Sequence, residues 1–269
     1  MELVMLLTAP VRDDYQSFPD LDQGLNTWRV SSRERCLLII DAARYGEDDV
    51  FQQIYTFDDN PNWFWLFDET PFEAYKSAGP VVIDTVLDSA LCKRAISHWG
   101  ADEALTILVS KREAGLVLAG IRNSLIINCE TFGPCFIRPY DARFLEVLNG
   151  CEPDKLNSLI GEGDAIIWAI NGGEDIYWSC SRGGGSEGFH AHQPRSFEEL
   201  LTWVSGWSRC MVLAKECEYA PSRQVEMIRK IWSAGHVCPA SDAELKLLWQ
   251  HAEKEFHGLH EKDFSNVSD

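Results

Sequence analysis

The unbroken apolar run from Cys36 to Ile40 constrains the fold of this chain most strongly. It has the length of a β-strand but lacks the alternation of apolar and polar residues seen when one side of a strand faces water. A strand of this composition is covered on both faces. The run therefore predicts a central strand in a sheet with helices on both sides, ending at the carboxylate of Asp41.

Strand-like and helix-like segments alternate after this run, which is typical of an α/β domain. Two helices are predicted to begin at capping boxes, Thr85-x-x-Asp88 and Ser110-x-x-Glu113. Further strands are predicted at 63–67, 80–84, 104–109, 125–129 and 135–137, with a hairpin at 164–170 and 175–179. The predicted fold class is α/β: a mixed sheet flanked by helices, with a C-terminal helical lobe.

Composition divides the chain into an α/β domain and several flanking segments. Trp28 is expected to anchor the first of these segments, and glycines dominate the linker. The predicted segments are an N-terminal arm with little regular structure (1–35), the α/β domain (36–180), a Gly-rich linker or loop (181–195), a helical lobe (196–257) and a frayed tail (258–269).

Charge and cysteine usage limit the classes of partner and the compartment. The formal net charge of -18 opposes binding to nucleic acid or to anionic membranes, and it favours basic partners or solubility. Nine cysteines without a C-x-x-C pair indicate reduced thiols rather than a disulfide framework or a zinc ribbon. The N-terminal apolar run contains Glu2 and is too short to span a bilayer. We therefore expect a cytoplasmic protein.

A polar turn, Arg138-Pro139-Tyr140-Asp141, links the strand at 135–137 to an amphipathic helix. Asp141 is placed to cap that helix, and Arg138 is placed to pair with Asp41 or another carboxylate and hold the sheet edge. The alternative is that Asp41, Arg138 and Asp141 gather in a crevice at the sheet edge, where α/β enzymes bind ligands. That interpretation predicts a hydrolase or a nucleotide-processing enzyme. No catalytic residue is assigned, because the chain contains neither a G-x-S-x-G nor an H-E-x-x-H motif.

The Gly-rich segment carries the only other patterns that suggest a ligand. His190 and His192 would share a side of a strand, but no third ligand follows at a recognisable spacing. Gly183-Gly184-Gly185 lacks the Lys-Ser/Thr pair of a phosphate-binding loop. We therefore predict neither a metal nor a cofactor.

Aromatic and methionine side chains beyond the linker are the predicted partner-binding residues. Aromatic residues at this density often anchor interfaces, although they also fill cores between helices. The predicted set is Trp203, Met211, Met227, Trp232 and Trp249.

Several segments in this order resemble the effector chaperone, or adaptor, family of bacterial type VI secretion, first catalogued as a domain of unknown function. The resemblance covers roughly residues 28–168, and Ala142 departs from it, since the family often has proline there. The segments are LIIDAAR (38–44), LFDETP (66–71), GPVV (79–82), SKREAGLVLAGIRN (110–123) and FIRPYDARFLEVL (136–148). The positions on the pattern are Asp41, Leu66, Phe67, Pro80, Arg138, Tyr140 and Asp141.

The resemblance implies a cytoplasmic protein that is not an enzyme. Members of the family are encoded beside effectors and VgrG-type spike proteins, and they load the effector onto the spike without travelling with it. The implied partners are therefore a cognate effector and a VgrG-type spike protein, the latter contacted either directly or only through the effector.

Overall fold

The computed structural model describes residues 18–129, 133–151, 156, 164–171, 176–183, 247 and 250. The strands are β1 (Arg35–Ile40), β2 (Asn62–Trp65), β3 (Val81–Val86), β4 (Leu105–Val109), β5 (Ile126–Cys129), β6 (Gly133–Phe136), β7 (Ala165–Asn171) and β8 (Ile176–Arg182). The α-helices are α1 (Leu21–Trp28), α2 (Glu47–Phe57), α3 (Ala90–Ala95), α4 (Ala114–Asn123) and α5 (Ala142–Cys151). The predicted frayed tail, the linker histidines and, apart from residues 247 and 250, the predicted helical lobe lie outside the described residues.

Six strands form one sheet in the order β2-β3-β1-β4-β7-β8, which confirms the predicted α/β class and the interior position of β1. Every neighbouring pair is antiparallel, so the expectation of a mixed sheet is wrong. Each helical crossover joins two strands that run in the same direction. These two strands are not neighbours in the sheet, because a third strand lies between them. β3 and β4 run in the same direction on either side of β1, and β1 and β2 flank β3 in the same way.

Both faces of β1 are covered, as its composition predicts. Leu38 pairs with Ile83 and Ile107 on the face that packs against α1, α2 and α3. Ile39 lies on the opposite face and is also buried. Helix α5 covers that second face, where Trp168 Nε1 donates to Glu146 at 3.0 Å. The predicted hairpin is confirmed as β7 and β8.

The segment predicted as an irregular arm contains helix α1, which corrects that expectation. Asp20 caps the helix by accepting from the Asp22 amide at 2.8 Å, and Leu21 and Leu25 are buried. Trp28 packs against the core, in agreement with its predicted anchoring role. At the other end of the described chain, β8 runs through Arg182 and so extends into the segment predicted as a linker.

Neither predicted capping box starts a helix. Thr85 lies inside β3, and Ser89 caps α3 by accepting from the Cys92 amide at 3.0 Å. Ser110 Oγ accepts from the Arg112 amide in the turn before α4, which begins only at residue 114. Because Thr85 is paired within β3, it does not cap a helix. After α3 the chain continues as a π-helical turn at Ile96–Gly100.

Strands β5 and β6 form a separate two-stranded sheet. The sequence predicts a buried strand here, but residues alternate between partly buried and exposed along β6, and Phe136 is 44% exposed. Ile137 is the buried residue of the segment, and its amide donates to the Leu125 carbonyl at 2.9 Å. Among the described residues, no helix is long and apolar enough to cross a membrane.

Candidate functional site

The residues singled out in the polar turn meet the end of β1, as predicted. We call Asp41, Arg44, Arg138, Tyr140 and Asp141 the polar joint. The Asp41 amide donates to the Ala104 carbonyl at 2.9 Å, which places this carboxylate beside the start of β4. The Tyr140 carbonyl accepts from Thr106 Oγ1 at 2.7 Å and fixes the turn over the same strand.

Two arginines lie close to one carboxylate oxygen of Asp41. Asp41 is buried, with only 7% of its surface exposed. Arg138 Nη1 lies 3.5 Å and Arg44 Nε lies 3.6 Å from Asp41 Oδ2. Of the carboxylates with which Arg138 is predicted to pair, Asp41 is therefore the one observed. The Arg138 guanidinium also lies 5.7 Å from the centre of the Tyr140 ring. Burial by itself would lower the pKa of Arg138. The electrostatic interactions with Tyr140 and Asp41 are together larger, so the pKa of Arg138 is raised.

Asp141 caps α5, as its position predicts. Its Oδ1 accepts from the Arg143 amide at 3.0 Å, and the Arg143 side chain adds bonds of 3.0 Å to Oδ1 and 2.7 Å to Oδ2. Burial would raise the pKa of Asp141, but the hydrogen bonds and charge of Arg143 and the Phe144 amide lower it. A carboxylate held in this way is a weak proton acceptor, so its chemistry suits a structural cap better than a general base.

Two buried oxygens of the polar joint, Asp41 Oδ1 and Tyr140 Oη, have no hydrogen-bond partner within the part of the chain that the structure describes. Burial is the largest cause that raises the pKa of Tyr140, so its hydroxyl stays protonated. The joint thus presents one acceptor and one hydroxyl beside Arg138. Buried oxygens of this kind are usually satisfied by an ordered water or an ion.

A second connection extends the polar joint toward the end of the π-helical turn. Tyr45 Oη donates to Asp102 Oδ2 at 2.6 Å, and Arg44 Nη1 donates to the Asp102 carbonyl at 2.5 Å. Burial and the bond to Asp102 raise the pKa of Tyr45. Within the described ranges, no group of three His, Cys, Asp or Glu side chains could hold a metal ion.

Helix α2 and strand β2 form an aromatic surface that the sequence does not predict. We call Phe51, Tyr55 and Trp63 the aromatic face. Phe51 and Trp63 have ring centres 4.6 Å apart, and Trp63 Nε1 donates to Tyr55 Oη at 3.3 Å. Tyr55 is 48% exposed. Phe57 is 40% exposed, but it lies on another side of α2, where the Arg94 guanidinium is 5.8 Å from the centre of its ring. The i, i+4 spacing of Phe51 and Tyr55 was the available signal, but only the structure brings Trp63 to them.

A second aromatic group joins β6 to the segment before β3. The ring centres of Phe72 and Phe136 are 4.6 Å apart, and Phe67 lies 5.9 Å from Phe136. Phe67 is buried, so this group connects the small sheet to the core. The partner-binding residues expected beyond the linker lie outside the described residues and stay predictions; they are Trp203, Met211, Met227, Trp232 and Trp249.

Residues 36–158 match a family described as a domain of unknown function (DUF4123). The matched stretch includes β1 from Cys36 onward, the aromatic face and every residue of the polar joint. No curated protein and no solved structure matches the chain.

Proposed function

We propose that the protein is a cytoplasmic chaperone or adaptor that binds a cognate type VI secretion effector and promotes its loading onto a VgrG-type spike. The resemblance of segments between residues 38 and 148 supports this function. The observation that carries it is the contrast between the two candidate sites. The charges of the polar joint hold chain segments together, whereas Tyr55 and Phe57 expose large aromatic side chains.

Exposed aromatic rings suit the binding of an apolar segment of another protein. Tyr and Phe offer a large contact area at a small entropic cost, and their removal from water favours association. Such a surface would cover an apolar stretch of the effector until the effector joins the spike. The formal net charge of -18 would speed the encounter with a basic region of the effector.

Copurification tests this function. The tagged chain is isolated from its native cell at low and at rising salt, and bound proteins are identified by mass spectrometry. We expect the effector encoded beside the chain to be retained, with less of it at high salt. A purification that retains no effector would contradict the adaptor function, and salt-insensitive retention would contradict electrostatic steering alone.

A second candidate is a hydrolase or nucleotide-processing enzyme that uses Asp41, Arg138 and Asp141. The two oxygens without partners, Asp41 Oδ1 and Tyr140 Oη, favour it. Asp141→Asn discriminates the two functions, because asparagine caps a helix nearly as well but cannot act as a carboxylate base. Retained effector binding by this variant would support the adaptor, and loss of a measurable turnover in a folded variant would support the enzyme.

A further inference from the structure

Helix α4 is apolar on its exposed side as well as on its buried side. The buried residues are Ala114, Val117, Leu118 and Ile121. The exposed residues between them are Gly115, Leu116, Ala119 and Gly120. A helix at the surface of a protein normally carries charged and polar residues on its outer side. The outer side of α4 carries none over these two turns, although 25% of the residues of the chain are charged.

This exposed side contains a large side chain and an open position one turn apart. Leu116 is 64% exposed. A Cβ atom at Gly120 would meet nothing within 4 Å, so another helix could approach the backbone closely at this position. Residues four apart lie on the same side of a helix. A second helix with the same pair could therefore place its leucine over Gly120 and receive Leu116 over its own glycine.

The polar residues at the two ends of α4 fit the same arrangement. In an antiparallel pair related by a two-fold axis, each contact occurs twice, once in each direction. The register that places Leu116 opposite Gly120 of the second copy also places Glu113 opposite its Asn123, because both pairs are centred on Leu118. Glu113 and Asn123 are exposed, and an asparagine amide can donate to a carboxylate.

We infer that the exposed side of α4 binds the same side of a second copy of this chain, as an antiparallel helix pair about a two-fold axis. This inference goes beyond the proposed function. Self-complementarity selects the occupant, since one axis brings together the leucine with the open glycine and the carboxylate with the amide. Between Glu113 and Asn123 the surface also carries no charge that would repel another copy with a net charge of -18.

The size of this surface limits the strength of the pair. Helix α4 has 10 residues and is therefore about 15 Å long. A standard interface buries about 800 Å² on each partner, which is more than one helix of this length provides. The net charge of each copy opposes association at low salt. We therefore expect a weak dimer that forms at high protein concentration and is strengthened by salt, which screens the repulsion.

Sedimentation velocity of the full chain, over a range of protein and sodium chloride concentrations, measures this pair. Leu116→Ala should raise the dissociation constant about tenfold, because the leucine contact is lost twice in a symmetric pair. Gly120→Ala should also raise it, although the same change favours the helix of a single chain. Weaker pairing by this variant would therefore not reflect weaker folding.

Leu116→Glu and its control separate the α4 surface from total charge. Tyr75→Glu is the matched control, because Tyr75 is 69% exposed on another element and the change adds the same charge. Leu116→Glu should abolish the dimer, and Tyr75→Glu should leave it nearly unchanged. Equal effects of the two variants would overturn the inference. A dimer that salt weakens would also overturn it, since attraction between opposite charges would then hold the copies together.

A chain that stays monomeric at about 1 mM in high salt would overturn the inference outright. Effector copurification with Leu116→Glu then identifies the occupant and tests the proposed function separately. Loss of the effector from this folded variant of a monomeric chain would assign the α4 surface to the effector, and the adaptor function would stand. A dimer that Leu116→Glu abolishes supports the inference, even if no effector copurifies and the proposed function fails.

Discussion

The Asp141 carboxylate performs two tasks at the start of α5. It accepts the Arg143 amide as a helix cap and holds the Arg143 side chain through both oxygens. The sequence predicts the cap, because aspartate after Arg-Pro-Tyr and before an amphipathic segment is a local signal. The pairing with Arg143 depends on the side-chain conformation in the folded chain, which no spacing rule specifies.

Asp141→Asn should lower the free energy of unfolding at pH 7 by about 1 kcal/mol, since the cap is kept and a charge-assisted, partly exposed pair is lost. The folded-state pKa of Asp141 is lowered, so its stabilisation is complete above the ordinary aspartate pKa and is lost as pH falls through the folded value. Urea unfolding at pH 7 and below about pH 4 should therefore show the two proteins converging in acid. If the difference in the free energy of unfolding between the two proteins stayed constant with pH, this role of Asp141 would be contradicted.

Arg138 is expected to stabilise the fold through Asp41 and Tyr140 rather than to take part in a reaction. Arg138→Ala should destabilise the chain by about 1 kcal/mol, because Asp41 loses one of the two arginines described beside it and the Tyr140 ring loses its cation. In an Asp41→Asn background the same substitution should cost less, and a double-mutant cycle from chemical unfolding measures that coupling. Strict additivity, or a fully stable and fully binding Arg138→Ala protein, would argue against the polar joint as a structural connection.

At the scale of elements, some of the fold is predictable from periodicity and some is not. The apolar run of β1 and the hairpin of β7 and β8 follow from local composition. Strand direction does not, because the sequence between β3 and β4 gives no sign that β1 inserts between them. Helix α1 could have been predicted from its Asp20 cap and the spacing of Leu21, Leu25 and Trp28. The two predicted capping boxes that start no helix show that contacts elsewhere in the fold can override a four-residue motif.

Gly79, just before β3, permits the close approach of the Phe67 ring. A Cβ atom at Gly79 would lie 2.4 Å from Phe67 Cδ2, and this buried ring also contacts Phe72 and Phe136. Gly79→Ala should therefore destabilise the chain by about 1–3 kcal/mol through overpacking.

Gly120→Ala in α4 is the matched control, because a Cβ there meets nothing within 4 Å. Alanine favours a helix interior over glycine, so this variant should be more stable by about 0.5–1 kcal/mol. Thermal unfolding of both variants compares them, and similar midpoints would contradict the packing described for Phe67.

At the scale of the whole molecule, the polar joint was predictable and the aromatic face was not. Asp41 follows an unbroken apolar run, and Arg138 and Asp141 lie in the turn before an amphipathic helix, so their meeting at a sheet edge could be inferred. The aromatic face joins a helix to an edge strand through Phe51 and Trp63, and side-chain contact between two elements is not encoded in either one alone. The composition predicts the negative charge of the chain, but it does not predict where that charge lies relative to the exposed aromatic rings.

Effector loading onto the spike tests the central claim most directly. The VgrG-type spike protein would be isolated from cells that contain the chain and from cells in which its gene is deleted, and the effector bound to the spike would be quantified. The adaptor function predicts that the effector is lost from the spike on deletion and returns when the chain is restored. Equal amounts of effector on the spike with and without the chain would contradict it.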